Sequence, residues 1–133
     1  MLGSGEFGDA TVIADLEAGI GTLMRLGERQ VDAVLVVVEP TPKSLEVGAR
    51  AAGIARQKSL GRVIVVANRV RDEDDRLSVE KTFPEHEAVL IPDDPAIVSA
   101  DRDGHAPLDV AADSPAVQAI VELAKTIVPA ARA

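Results

Sequence analysis

Four short apolar runs, each stopped by a polar residue, constrain this chain more than any other feature. Ala10-Thr-Val-Ile-Ala14 runs into Asp15, followed by Leu16-Glu17-Ala18-Gly19. Ala33–Val38 ends in Glu39-Pro40, Val63–Ala67 ends in Asn68, and Ala88–Ile91 ends in Pro92-Asp93-Asp94. Apolar runs rich in β-branched residues and without polar alternation mark strands buried on both faces, as in parallel sheets. If the strands are parallel, their polar stops share one rim. In open α/β sheets the carboxyl rim is where ligands bind.

Helical patterns separate the runs. Ile20, Leu23, Met24 and Leu26 predict a short helix from the Gly19-Ile-Gly21 turn to about Arg29. Thr41 as N-cap with Pro42 at the first position opens a second helix. It should reach about Leu60, with Gly61 as its stop. Its apolar stripe is made of small residues, Leu45, Gly48, Ala49, Ala52 and Ala55. Glycines at 48 and 53 each cost a helix about 1 kcal/mol relative to alanine, so either close helix–sheet packing retains them or the helix merely tolerates them. Asp72–Asp75 reads as a solvated acidic run that caps a helix through Thr82, ended by Pro84. Pro92–Asp109 reads as irregular, with a helical turn at Pro95–Ala100. Ser114-Pro115 opens a last helix, in which Val117, Ile120, Val121, Ala124, Ile127 and Val128 follow helical spacing up to Pro129.

This alternation predicts an α/β fold: a mostly parallel sheet of about four strands (Thr11–Ala14, Val31–Val38, Arg62–Ala67 and Ala88–Ile91) with flanking helices. A length of 133 residues predicts a single domain over 1–133. Residues 9–133 would form the fold, and the glycine-rich Met1–Gly8 is either a flexible leader or a cloning remnant.

Composition narrows the function. Phe7 and Phe83 are the only aromatics, which argues against base-stacking platforms for single-stranded nucleic acid. A formal charge of −8 disfavours nucleic acid and anionic membrane surfaces alike. There is no cysteine, so thiolate metal sites and disulfides are excluded. No apolar run approaches the roughly 18 residues of a membrane span, and Met1–Gly8 lacks a signal-peptide pattern. A soluble, cytoplasmic protein is expected.

The rim residues carry the candidate chemistry. Asp15 and Glu17 could organise a hydrated Mg²⁺ or a water, as hard cations prefer oxygen ligands, or could cap a helix or sit in a solvated turn. Asn68 offers donor and acceptor together, as reading a base edge requires; the alternative is a turn cap. Glu39 reads as an exposed turn residue, and Asp93 and Asp94 as an Asx-type turn. His86 and His105 have no partner at ligand spacing and read as surface residues. No nucleophilic triad is visible, and neither G-x-x-x-x-G-K-[ST] nor G-x-G-x-x-G occurs as a credible phosphate cradle.

The order of these motifs resembles a known family. Asp15-Leu-Glu17-Ala18-Gly19, Val31-Asp32 before a strand ending Glu39-Pro40, Ser44-Leu45, Asn68-Arg69-Val70, Ile91-Pro92-Asp93-Asp94 and Ala100-x-x-x-Gly104 follow one another. The series is similar to the C-terminal part of MinD/ParA-type (SIMIBI) deviant P-loop ATPases. Within that group it most resembles the CooC-type maturation factors for carbon monoxide dehydrogenase, where Asp-Thr-Glu-Ala-Gly is typical; here Leu16 replaces the threonine. The likeness spans about residues 10 to 128. It implies that Asp15 is the acidic catalytic residue near Mg²⁺, which it would touch indirectly, and that Gly19 is the switch glycine. It further implies that Asn68 reads adenine with Arg69 beside it, and that Pro92, Asp93 and Asp94 form the loop along the base. ATP or ADP with Mg²⁺ would be the cofactors, bound weakly or not at all by this chain alone. The family's lysine-bearing phosphate loop and its strand are not in this sequence. Without those N–H groups and that lysine, hydrolysis by this chain alone is not expected.

In the resembling fold the phosphate-loop strand lies between the strands matching 11–14 and 33–38. Without it, one sheet face needs a further cover, which 115–128 would supply only in part. A homodimer, or a separate N-terminal phosphate-loop half, is therefore the expected partner, with a metalloenzyme as a possible client. Two functions follow: a partial ATP-binding domain of a metallocentre-maturation or regulatory ATPase family, or a non-catalytic interaction module that keeps the fold. A receiver-like domain with Asp15 as phosphoacceptor is a third reading, but it lacks the expected acidic cluster and lysine.

Overall fold

The computed structural model describes residues 10–16 and 31–128. Three strands, β1 (Ala33–Val38), β2 (Arg62–Val70) and β3 (Glu87–Pro92), form one parallel sheet in the order β1-β2-β3. Val38 at the end of β1 lies opposite Ala67, and Ala67 lies opposite Leu90. The three carboxyl ends therefore share one rim. The predicted first strand does not form: residues 10–16 join no sheet and are exposed throughout, Ile13 at 88%. A β-branched run is only strand-competent; it becomes a strand when a neighbour accepts its backbone hydrogen bonds. Among the described residues none does. Among the described residues the sheet thus has three strands, close to the expected count of about four, and the α/β class stands.

Among the described residues five helices connect or flank the strands: α1 (Pro42–Gln57), α2 (Glu73–Thr82), α3 (Pro95–Arg102), α4 (Pro107–Val110) and α5 (Pro115–Ile127). Their starts are the predicted ones where a capping side chain stands in the sequence. Thr41 Oγ1 accepts from the Ser44 N–H, Asp72 from Asp75, and Ser114 from Val117. α1 ends three residues before the predicted Leu60, with Lys58 as its cap and Ser59 in the left-handed region at φ 51°. Gly61 does another job. At φ +157° it lets the chain pass against the Val31 carbonyl, which an added Cβ would overlap. The stretch read as irregular holds α3 from Pro95 to Arg102 and the short α4.

α1 and α2 cover one face of the sheet. Val36, Val38, Val65 and Ala67 meet Leu45, Ala52, Val79 and Phe83 there. α5 covers the other face over β2 and β3, where Ile64, Val66 and Ile91 meet Ala116 and Leu123. It does not extend over β1: Leu35 is 39% and Val37 65% exposed. The expectation of burial on both faces therefore fails for this edge strand and holds for Ile64–Ala67 of central β2. At the amino end, Arg62 locks three elements together. Its Nε donates to Glu87 Oε2 at 2.9 Å, and its Nη1 donates to the Thr126 carbonyl at 2.9 Å.

Candidate nucleotide-binding rim

The carboxyl end of β1 is shaped by a short hydrogen-bond chain. The Glu39 N–H donates to Ser44 Oγ at 2.9 Å, and the Ser44 N–H donates to Thr41 Oγ1 at 3.3 Å. Ser44-Leu45 thus serves twice, as the α1 cap partner and as the anchor of the strand end. The Glu39 carboxylate is left exposed, as expected, but it is not idle: Arg69 Nη1 lies 3.4 Å from its Oε1.

The end of β2 breaks register between Ala67 and Val70. Asn68 and Arg69 occupy this irregularity, and Arg69 takes a left-handed backbone at φ 60°. Bulges disrupt the ladder locally and re-aim side chains. Both residues are exposed. The Asn68 amide makes no hydrogen bond with any described residue. It is therefore no turn cap, and its donor and acceptor have no partner among the described residues. The Arg69 guanidinium spans the rim, with Nη1 toward Glu39 after β1 and Nε 3.5 Å from Asp93 Oδ1 after β3. Two residues on, Arg71 is engaged by Asp75, whose Oδ2 accepts from the Arg71 backbone N–H at 2.9 Å and from Nε at 3.1 Å. That contact holds the Asp75 carboxyl below the usual carboxylate range. Asp75 is buried, a correction to the reading of Asp72–Asp75 as a wholly solvated run.

The end of β3 divides its two acids between different tasks. Asp93 is exposed, and its N–H donates to the Val70 carbonyl at 2.9 Å. Asp94 is buried and joins two helices. Its Oδ1 accepts from the Ala96 N–H of α3 at 2.9 Å, and its Oδ2 accepts from the Ala116 N–H of α5 at 3.0 Å. The Ala116 bond, then the Ala96 bond, hold its carboxyl below the ordinary value. Both oxygens accept from backbone N–H groups, so the Asp94 carboxylate ties the start of α3 to the start of α5. The Asx-type reading holds for Asp94, whose reach extends to α5, and not for Asp93, whose carboxylate faces Arg69. Pro92 lies half-buried just before, in register with Val70.

The other candidates fall elsewhere. Asp15 is exposed within 10–16, off any strand end, and its carboxylate has no partner among the described residues. Glu17 and Gly19, and the helix predicted over 20–29, lie outside the described residues. His105 is exposed, as expected. His86 is not a plain surface residue: both ring nitrogens are buried without a hydrogen-bond partner, and the ring stands edge-on to Phe83 at 5.8 Å. Among the described residues no cluster of three or more His, Asp or Glu side chains could hold a metal ion. The described rim presents an open amide and a guanidinium. It offers no cage for Mg²⁺. A hollow of about 300 Å³ between α3 and α4, lined by Ser99, Asp103 and His105 among others, contains none of the rim residues.

Comparison with known proteins bears on the fold. The MinD cell division protein of Aquifex aeolicus superposes with a TM-score of 0.64 over 87% of this chain, at 23% identity. The chain has a MinD-like fold. Two uncharacterized ATP-binding proteins of Methanocaldococcus jannaschii are also similar. One is 41% identical over 69 residues, covering 52% of this chain and 27% of that protein. The other is 30% identical over 122 residues, covering 90% and 46%. This chain thus spans about half the length of MinD and less than half of either archaeal protein. No family model matches it. Among the described residues no helix is long and apolar enough to cross a membrane.

Proposed function

We propose that this chain supplies the base-side half of an adenine-nucleotide site in a MinD-like ATP-binding domain. One observation carries the reading: the Asn68 amide stands free at a break in the ladder, on the carboxyl rim of a parallel sheet. An amide with both hydrogen-bonding functions open can pair with the edge of adenine, which presents a donor beside an acceptor. Arg69, Pro92 and Asp93 border it, and Asp94 fixes the loop that holds the last two. The names of both archaeal relatives support ATP as the ligand class. Within the same reading Asp15, with Gly19 after it, would act near Mg²⁺ and the phosphates once a phosphate loop is supplied. The described residues provide neither a phosphate cradle nor a metal cage, so weak binding and no hydrolysis are expected of the chain alone. A CooC-type role, with a metalloenzyme client in the cytoplasm, is the finer form of this proposal.

A second reading has its own observation. β1 is an edge strand of six apolar residues, and Leu35 and Val37 are exposed on the face that α5 leaves open. Such an edge favours pairing with another strand. A second copy, or a separate half bearing the phosphate loop, is the proposed partner. The interaction module without nucleotide is the alternative function.

Titration with adenosine, ADP and Mg-ATP, followed by NMR shifts, tests the first reading. It expects millimolar binding centred on Asn68, lost in Asn68→Ala and not reproduced by guanosine. Absence of any adenine-dependent shift at the rim would leave the module. Micromolar Mg-ATP binding would refute the expectation of a missing phosphate side.

A further inference from the structure

We propose that β1 pairs with β1 of a second copy of this chain, antiparallel across a two-fold axis at Leu35, joining two three-stranded sheets into one. The inference rests on the second reading above and commits its open edge to one partner and one register. The Arg62 N–H donates to the Asp32 carbonyl at 3.1 Å. Main-chain groups two residues apart on a strand point the same way. Those of Val34, Val36 and Val38 therefore face β2, and those of Ala33, Leu35 and Val37 face outward. No strand among the described residues takes them. Edge strands are ordinarily guarded by a charge, a proline, a bulge or a covering element. Ala33–Val38 contains no charge, no proline and no register shift, and α5 stops short of it.

The outward residues select the register. In an antiparallel pair, two residues whose main-chain groups face each other exchange both hydrogen bonds. Leu35 opposite the partner's Leu35 also sets Ala33 opposite the partner's Val37, and Val37 opposite the partner's Ala33. All three outward residues are then bonded; a slip of two residues either way leaves one of them without an outward counterpart within β1. The side chains agree with this register. It brings Leu35 against Leu35 and Val37 against Ala33 as cross-strand apolar neighbours, on the face where Leu35 is 39% and Val37 65% exposed. Charge does not oppose it, although each copy carries −8. Asp32 falls opposite the partner's Val38, and Glu39 opposite the partner's Val31, so no acid stands opposite an acid. One short strand pair buries less than the roughly 1,200 Å² of a standard interface, so the dimer belongs to the weak, reversible class.

Sedimentation equilibrium of the full chain tests the pairing. Between about 10 µM and 1 mM the mass should climb from monomer toward dimer. Val37→Pro removes an outward N–H and leaves the β2 ladder whole. Leu35→Lys sets two like charges against each other on the axis. Each should weaken association about tenfold or more, and thermal melts check that both variants fold. The chain has no cysteine, so single cysteines report the register. Leu35→Cys puts two thiols across the axis, on α-carbons about 5.5 Å apart, and a short bifunctional thiol reagent should join them. The thiols of Val37→Cys would lie about 14 Å apart along the strands and should stay unjoined. A chain that is monomeric throughout overturns the self-pairing and leaves the edge to a separate half. Cross-linking of Val37→Cys but not Leu35→Cys overturns the proposed register. Association that both Val37→Pro and Leu35→Lys leave intact removes β1 as an interface, and the second reading with it.

Discussion

Gly48 and Gly53 lie in the same helix, yet the structure assigns them opposite responses to the same substitution. Both are interior to α1, where Gly→Ala gains about 1 kcal/mol of intrinsic helix stability. An added Cβ at Gly53 meets nothing within 4 Å. Gly53→Ala should therefore stabilise by about 0.5–1 kcal/mol. At Gly48 the same Cβ would overlap Val38 Cγ1 and touch Phe83 Cζ at 3.4 Å. Neither neighbour can retreat easily, because Val38 is 2% and Phe83 3% exposed, and a β-branched valine is stiff at χ1. Overpacking a closed core costs about 1–3 kcal/mol. Set against the helix gain, Gly48→Ala should come out destabilising by up to about 2 kcal/mol. Urea denaturation of the two variants should separate them by about 2 kcal/mol with unchanged m-values. Val38→Ala should remove the penalty of Gly48→Ala in a double-mutant cycle. The packing argument is wrong if the two alanines stabilise equally, or if Val38→Ala and Gly48→Ala add independently. Gly48 also bears on the site, since Val38 is the last residue of β1 and Glu39 follows it.

Two further outcomes concern the ends of the sheet. Asp94→Asn should lower the urea midpoint at pH 7, because an amide nitrogen cannot accept the Ala116 or Ala96 N–H. The folded carboxyl titrates below its unfolded value, so its stabilisation is present above the unfolded pKa and is lost as pH falls through the folded one. The gap between Asp94→Asn and the parent chain should thus narrow on acidification, and a gap independent of pH would remove Asp94 as the double cap. At the amino end, Arg62→Ala should quicken amide exchange in the last turn of α5, read at Val128, while β2 residues Ile64–Ala67 keep their protection. Unchanged exchange at Val128 would show that the Arg62–Thr126 contact holds nothing.

Local chemistry made much of the architecture legible. Thr41-Pro42, Asp72 and Ser114-Pro115 each place a capping oxygen before a helical pattern, and each is an N-cap in the structure. The parallel sheet was legible because Ile64–Ala67 contains no polar alternation, and that stretch is the buried centre. The same rule over-reads Val37 and Ile13, because an apolar run reports what a strand could bury and not whether a neighbour is there to bury it. The polar stops at Glu39, Asn68 and Asp93 were legible as a shared rim once the strands were taken as parallel. What links them was not. Arg69 reaches residues 30 and 24 positions away in sequence, and nothing local marks it for left-handed backbone, which Asn68 beside it would adopt more readily. Asp94 bonding Ala116, 22 residues later, was likewise invisible.

These long contacts explain why a site would occupy one end of this sheet and not the other. At the amino end the charges are consumed: Arg62 is taken by Glu87 and a helix carbonyl, and Gly61 is packed against the Val31 backbone. At the carboxyl end the buried acids, Asp75 and Asp94, are spent on backbone N–H groups and on Arg71, so the connections stay in place without help from a ligand. The exposed groups, Asn68, Arg69, Glu39 and Asp93, are held by that frame and by one another only through loose contacts of 3.4 and 3.5 Å. Ion pairs this open contribute little to stability. Losing one to a ligand therefore costs the fold little, which is the property a binding rim needs and a structural lock such as Arg62 lacks.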